Sequence, residues 1–146
     1  MPVKRGTDTS RIATWVSDQV YASVDYYVVE PLMELRLEYL KEIYKGLWSS
    51  IIEVYEQSNY RIEWSNIVES VEKACRLVAY YLVSQLKPDE PEEVRVKRAE
   101  RIASVLSDSV IVYLDGWRIG KYRYPKYERD LRVIEMILTL PPEELE

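Results

Sequence analysis

Apolar side chains recur every third or fourth residue through most of this chain, the spacing of amphipathic helices packed into one core. After a short basic arm, Lys4-Arg5-Gly6, any of Asp8, Thr9 and Ser10 can cap a helix whose stripe is Ile12, Trp15, Val16, Val20, Val24, Tyr27 and Val28. That helix is expected to end near Val29. A break or sharp kink is expected at Glu30-Pro31, because proline loses a hydrogen bond inside a helix and sits well in the first turn of a new one. A second helix then runs to about Gln57, with apolar positions at Met33, Leu37, Leu40, Tyr44, Leu47, Trp48, Ile51 and Tyr55. Leu32, Leu35, Tyr39, Ile43 and Ile52 widen this stripe beyond what one core needs. Such a helix is either central to its own domain or covered on one face by a partner chain.

Ser58-Asn59 marks a turn, and Ile62, Ile67, Val68, Val71, Cys75, Val78, Tyr81, Leu82 and Leu86 mark a third helix, which Lys87-Pro88-Asp89-Glu90-Pro91 stops. Pro91, Glu92 and Glu93 open a fourth helix, with carboxylates at the positive end of its dipole, and it is expected to reach about Ser107. Val110-Ile111-Val112-Tyr113-Leu114 is rich in β-branched residues and Asp115-Gly116 is a two-residue turn signal. A β-hairpin over 110–124 is therefore expected. Tyr127, Leu131, Ile134, Ile137 and Leu138 form a last helix that Pro141-Pro142 terminates. The predicted fold is mainly α, a helical bundle with a long Pro-broken N-terminal region and a small hairpin. Residues 1–57 form its arm and assembly region and 58–146 the remaining bundle, within one domain.

Composition sharpens this picture. Across 146 residues the chain carries few Asn and Gln, 4 Gly, no His and abundant Glu, Lys and Arg, a usage that suits a hyperthermophile. Its large rings are 13 Tyr and 4 Trp with no Phe, so nearly every ring has a polar atom to place at an interface. No stretch approaches the roughly 20 apolar residues of a membrane span, and the first residues lack a signal peptide's apolar run; a soluble protein made inside a cell is expected. Cys75, alone among Ala74, Leu77 and Val78, reads as a small buried hydrophobe.

Without His the usual general base and metal ligand is missing, and there is no glycine-rich phosphate loop and no second Cys. Glu34, Glu38 and Glu42 stand one turn apart but interleave with Lys41 and Lys45, the pattern of a solvated helix face rather than a metal site. No enzyme activity, cofactor, metal or small-molecule substrate is expected. Charge is the remaining signal. The net charge is -5, yet residues 95–132 hold ten basic residues against five acidic ones. Within them Arg118-Ile119-Gly120-Lys121-Tyr122-Arg123-Tyr124 interleaves bases with rings, which suits phosphate contact and base stacking and equally suits the solvated face of a hairpin.

The basic arm, the break at Val28-Val29-Glu30-Pro31-Leu32, the Tyr- and Trp-rich apolar surface and the chain length together resemble the coat proteins of filamentous viruses of hyperthermophilic archaea. That resemblance, carried mainly by residues 1–57, implies paired subunits that wrap A-form double-stranded DNA between N-terminal helices in a virion, each packing against copies of itself or a related coat subunit. It also implies Lys4, Arg5, Arg11, Arg36, Lys41 and Lys45 as phosphate ligands. Two other readings stay open, both of a cytoplasmic protein rather than one in a virion: a small helical nucleic-acid-binding subunit of an archaeal CRISPR effector complex, using Arg118 to Arg132, and a host protein-interaction module. The location of the working positive charge separates the first two: the arm and first helices for the coat, the 110–124 region and last helix for the effector subunit.

Overall fold

The structure, a computed structural model, describes residues 8–25 and 34–145, the last residue of the first span by its backbone alone. Among them five helices follow one another: α1 (Thr9–Asp25), α2 (Leu37–Gln57), α3 (Trp64–Leu86), α4 (Glu92–Arg118) and α5 (Tyr127–Thr139), with a 3-10 turn at Pro142–Glu144. The mainly α expectation holds. Asp8 caps α1 by accepting hydrogen bonds from the backbone N–H of Ser10 (3.1 Å) and Arg11 (3.3 Å). The helix buries Ile12, Ala13, Val16, Val20 and Val24, whereas Trp15, expected in that stripe, lies on the outer side. Tyr27, Val28 and the expected break at Glu30-Pro31 lie outside the described residues, as does the basic arm with Lys4 and Arg5. The second helix begins later than expected: Leu35 and Arg36 precede it, Arg36 in an extended conformation.

The wide stripe of α2 is that of a central helix. It touches all four other helices, burying Leu40, Ile43, Tyr44, Leu47, Trp48 and Ile51, with Tyr39, Ile52, Val54 and Tyr55 packed at the edge of the same cluster. A partner chain is not needed to account for it. Asn59 and Tyr60 turn the chain into α3 with φ of 58° and 63°. Helix α3 packs most extensively on α4 and α1, and its Cys75 is fully buried as the sequence suggests. Pro91 stands just before the first helical residue of α4, whose first turn carries Glu92 and Glu93.

The expected hairpin over 110–124 is not there. Residues 110–118 continue α4, and Val110, Tyr113 and Leu114 are buried along the same stripe as Ile102 and Leu106. The β-branched run gives up a few tenths of a kcal/mol per residue in helix propensity. Burial of each side chain is worth roughly 1.5–3 kcal/mol, so packing outweighs local preference. The turn falls at Gly120 instead of Asp115-Gly116. The N–H of Gly120 donates to the Trp117 carbonyl (3.2 Å) and that of Lys121 to the Gly116 carbonyl (2.8 Å), the two bonds of a Schellman motif, with Gly120 at φ +76°. Gly116 is fixed by close approach, since a Cβ there would stand 2.0 Å from the Lys121 carbonyl oxygen. Gly120→Ala is expected to lower unfolding free energy by about 1 kcal/mol, read as a fall in the urea midpoint at unchanged slope.

Helix α5 packs on α4 and α2. A buried ion holds each of its ends. Asp130, 2 % exposed and in the first turn, accepts from the Tyr44 hydroxyl at 2.7 Å and the Ser109 hydroxyl at 2.6 Å. Arg98, also 2 % exposed, donates to both Glu90 carboxylate oxygens at 2.7 Å and to the Ile137 carbonyl at 2.7 Å. That carbonyl belongs to the last turn, where no intrahelical donor remains and a cation is favoured.

Candidate nucleic-acid interface

The chain between α4 and α5, residues 119–126, is a non-helical strap that turns back over Tyr113 of α4 and Trp48 of α2. Two contacts fix its path: the Gly116 carbonyl, which accepts from Lys121, and the buried Pro125. Between these anchors Lys121, Tyr122, Arg123 and Tyr124 are all exposed, the two tyrosines by 57 % and 62 %. In a hairpin, alternate side chains would turn inward, leaving either the bases or the rings on the surface. The strap presents both.

The rings are held from beneath. Trp48 of α2 and Tyr113 of α4 stack with centroids 3.8 Å apart and planes 15° from parallel. Tyr124 leans on both, at 6.3 Å from Trp48 and 5.6 Å from Tyr113, and Tyr122 lies 6.1 Å from Tyr113. Tyr122 and Tyr124 face each other at 6.5 Å with planes 19° apart. Further along, Tyr127 packs 5.8 Å from Tyr44 and carries the Lys41 ammonium over its ring at 5.4 Å. Burial, and then the neighbouring phenols, push the Tyr113 and Tyr127 hydroxyls up from the usual tyrosine range. They stay neutral at physiological pH and add no negative charge to this surface.

Beside Tyr127 the surface sinks into a hollow of about 380 Å³ lined by Leu37, Lys41, Lys126, Tyr127, Glu128, Arg129 and Arg132. Four cations and one carboxylate thus share one concavity, in a chain whose net charge is -5. Lys126, Arg129 and Arg132 recur at intervals of three at the start of α5, so one helix side presents them together. Arg129 also reaches back to the buried Asp130 at 3.2 Å, which fixes its guanidinium at the rim. Arg118, at the far end of the strap, lies 4.0 Å over the Trp64 ring, whose N–H is held by Asp115 at 3.1 Å. Cations spread over rings and around a hollow form a surface suited to phosphates and flat aromatic groups.

Among the described residues expected to hold phosphates, Lys41 alone lines this hollow, and Lys4 and Arg5 lie outside the described residues. Lys45 is exposed one turn further along α2, Arg36 is exposed and ion-paired with Glu34 at 3.4 Å, and Arg11 is exposed on α1. Lys126, Arg129 and Arg132 lay within the basic segment that sequence marked for the effector-type reading, but nothing in sequence joins them to Lys41, which comes from a different helix. Among the described residues no three Cys, Asp or Glu side chains gather in a way that could hold a metal ion, and no helix is long and apolar enough to cross a membrane. Burial pushes the Cys75 thiol far up, which suppresses its thiolate form. No protein-family model, curated protein or solved structure matches this chain, and the site stands on its own geometry.

Proposed function

We propose that this protein is a non-enzymatic, nucleic-acid-binding subunit of a larger assembly, and that it holds nucleic acid on the face formed by the strap and the start of α5. The observation that carries the reading is the concentration of Lys41, Lys126, Arg129 and Arg132 around one hollow, next to exposed Tyr122 and Tyr124, in a chain that is otherwise acidic. An acidic protein binds phosphates only where its positive charge is gathered locally, because that affinity is mainly electrostatic.

The position of this charge favours the effector-subunit reading over the viral coat. Coat assembly on double-stranded DNA in a virion would draw on Lys4, Arg5, Arg11, Arg36, Lys41 and Lys45, and among the four of these that are described Lys41 is the one shared with the hollow. A host interaction module would use the same hollow for the carboxylates of an acidic protein partner.

Charge reversal tests the proposal. Lys41→Glu, Lys126→Glu and Arg132→Glu change exposed side chains, whereas Arg129 is left intact because it also contacts Asp130. Measured by fluorescence anisotropy over a salt series, each reversal is expected to weaken binding. The log–log salt slope should shrink by about 0.7 per lost phosphate contact on a single strand and about 0.9 on a duplex. Unchanged affinity in the triple variant, with unchanged thermal unfolding, would remove the face from consideration.

A further inference from the structure

Resting on that reading, we infer that the ligand of this face is single-stranded nucleic acid, with unpaired bases stacked on Tyr122 and Tyr124 and the adjoining phosphates in the hollow of Lys41, Lys126, Arg129 and Arg132. A duplex buries its base faces in its own stack and offers a protein its phosphates and base edges. Exposed ring faces therefore have little to bind on it. A single strand offers both parts that this surface can meet: a flexible phosphate backbone and flat faces free to stack.

The geometry of the two tyrosines fits that ligand. Both residues are more than half exposed, and their rings are nearly parallel with centroids 6.5 Å apart. Tyr113 and Trp48 support them from below, so the rings lose little freedom on binding. The strap itself is held at both ends, by the turn at Gly116 to Lys121 and by the buried Pro125, so the ring pair is presented by a fixed piece of chain. Tyr127, three residues on from Tyr124, lines the hollow together with Lys126, so the ring pair and the cations follow one another directly along the chain. Recognition by stacking is tolerant of base identity, so little sequence preference is expected.

The test compares the intact protein's affinity for a single-stranded oligonucleotide with its affinity for the blunt duplex of the same sequence, each on the order of ten nucleotides long. Tyr122→Leu, Tyr124→Leu and the two Phe variants are measured beside the wild type. The expected result is tighter binding of the single strand. Each Leu variant should lose about tenfold to a hundredfold on the strand and almost nothing on the duplex, and each Phe variant should bind like the wild type. Leucine keeps apolar cover over Tyr113 and Trp48, and thermal unfolding of each variant checks that the fold is retained. Equal binding of strand and duplex, with Leu variants no weaker than wild type, would overturn the single-strand inference while leaving the basic face as a phosphate site. Absence of binding to either probe would overturn the proposed function and this inference with it.

Discussion

Arg98→Met is expected to lower the unfolding free energy by about 3–5 kcal/mol, a large share of the total for a domain of this kind. The guanidinium is buried and fully engaged, donating to both oxygens of Glu90 and to the Ile137 carbonyl at 2.7 Å each. Methionine fills much of the same volume but leaves the Ile137 carbonyl without a donor and the Glu90 carboxylate without its counter-charge. One residue thereby joins the loop before α4 to the last turn of α5, and its removal should free that turn. The same pair gives the stability a pH dependence. The Arg98 hydrogen bonds hold the Glu90 carboxyl below its usual range, against a smaller opposing effect of burial. A carboxyl whose folded pKa is depressed contributes stability that is fully present above its ordinary value of about 4.3 and is lost as pH falls through the folded value. Urea midpoints should therefore fall with pH more steeply below about 4.3 in the wild type than in Arg98→Met. Parallel curves would contradict the assignment.

Asp130→Ala is expected to cost about 3 kcal/mol and to weaken nucleic-acid binding at the same time. Its carboxylate is the acceptor for Tyr44 and Ser109, two hydroxyls on helices distant in sequence, and both would be left buried without a partner. Burial and then the Asp130 hydrogen bond push the Tyr44 hydroxyl far above the usual tyrosine range, so it donates at every working pH. The carboxylate also favours the positive end of the α5 dipole and anchors Arg129 at the rim of the hollow. Loss of Asp130 thus loosens the end of the helix that presents Lys126, Arg129 and Arg132. Asp130→Asn, whose amide oxygen still accepts, should lose clearly less stability. Equal losses for Ala and Asn would indicate that the ion, rather than the hydrogen-bonded network, is what matters there.

The order of helices was readable because each stripe keeps one period and each end carries its own punctuation. Pro88 and Pro91 bound the loop between α3 and α4, and Pro141 follows the end of α5 at Thr139. The helix that replaces the expected hairpin has a definable cause. Val110-Ile111-Val112 and Asp115-Gly116 are local signals, whereas the fact that decides the fold is that Val110, Tyr113 and Leu114 continue the phase of Ile102 and Leu106. Gly120 carries the signal that ends the helix, whereas Asp115-Gly116 stays within the last turns of α4. The site was legible in part. The interleaved bases and tyrosines of residues 118–124 stand out in the sequence, but on a strand one set would point inward, so their joint exposure follows only from the strap's path back over Tyr113 and Trp48. The meeting of Lys41 with Lys126, Arg129 and Arg132 required α2 and α5 to be packed together, which no local pattern encodes. Asp130 and Arg98 were unreadable as buried ions, because charged residues on amphipathic helices read as solvated faces and their partners lie far away in sequence. Asp130 meets Tyr44 across 86 positions and Ser109 across 21.

The face itself is tested most directly by ultraviolet crosslinking of the intact protein to a single-stranded oligonucleotide, followed by peptide mapping. Crosslinks to the peptide that carries Tyr122 and Tyr124, reduced in the Lys126→Glu and Arg132→Glu protein, are the predicted result. Crosslinks confined to peptides of α1, which carries Trp15, with residues 119–132 unlabelled, would contradict the account.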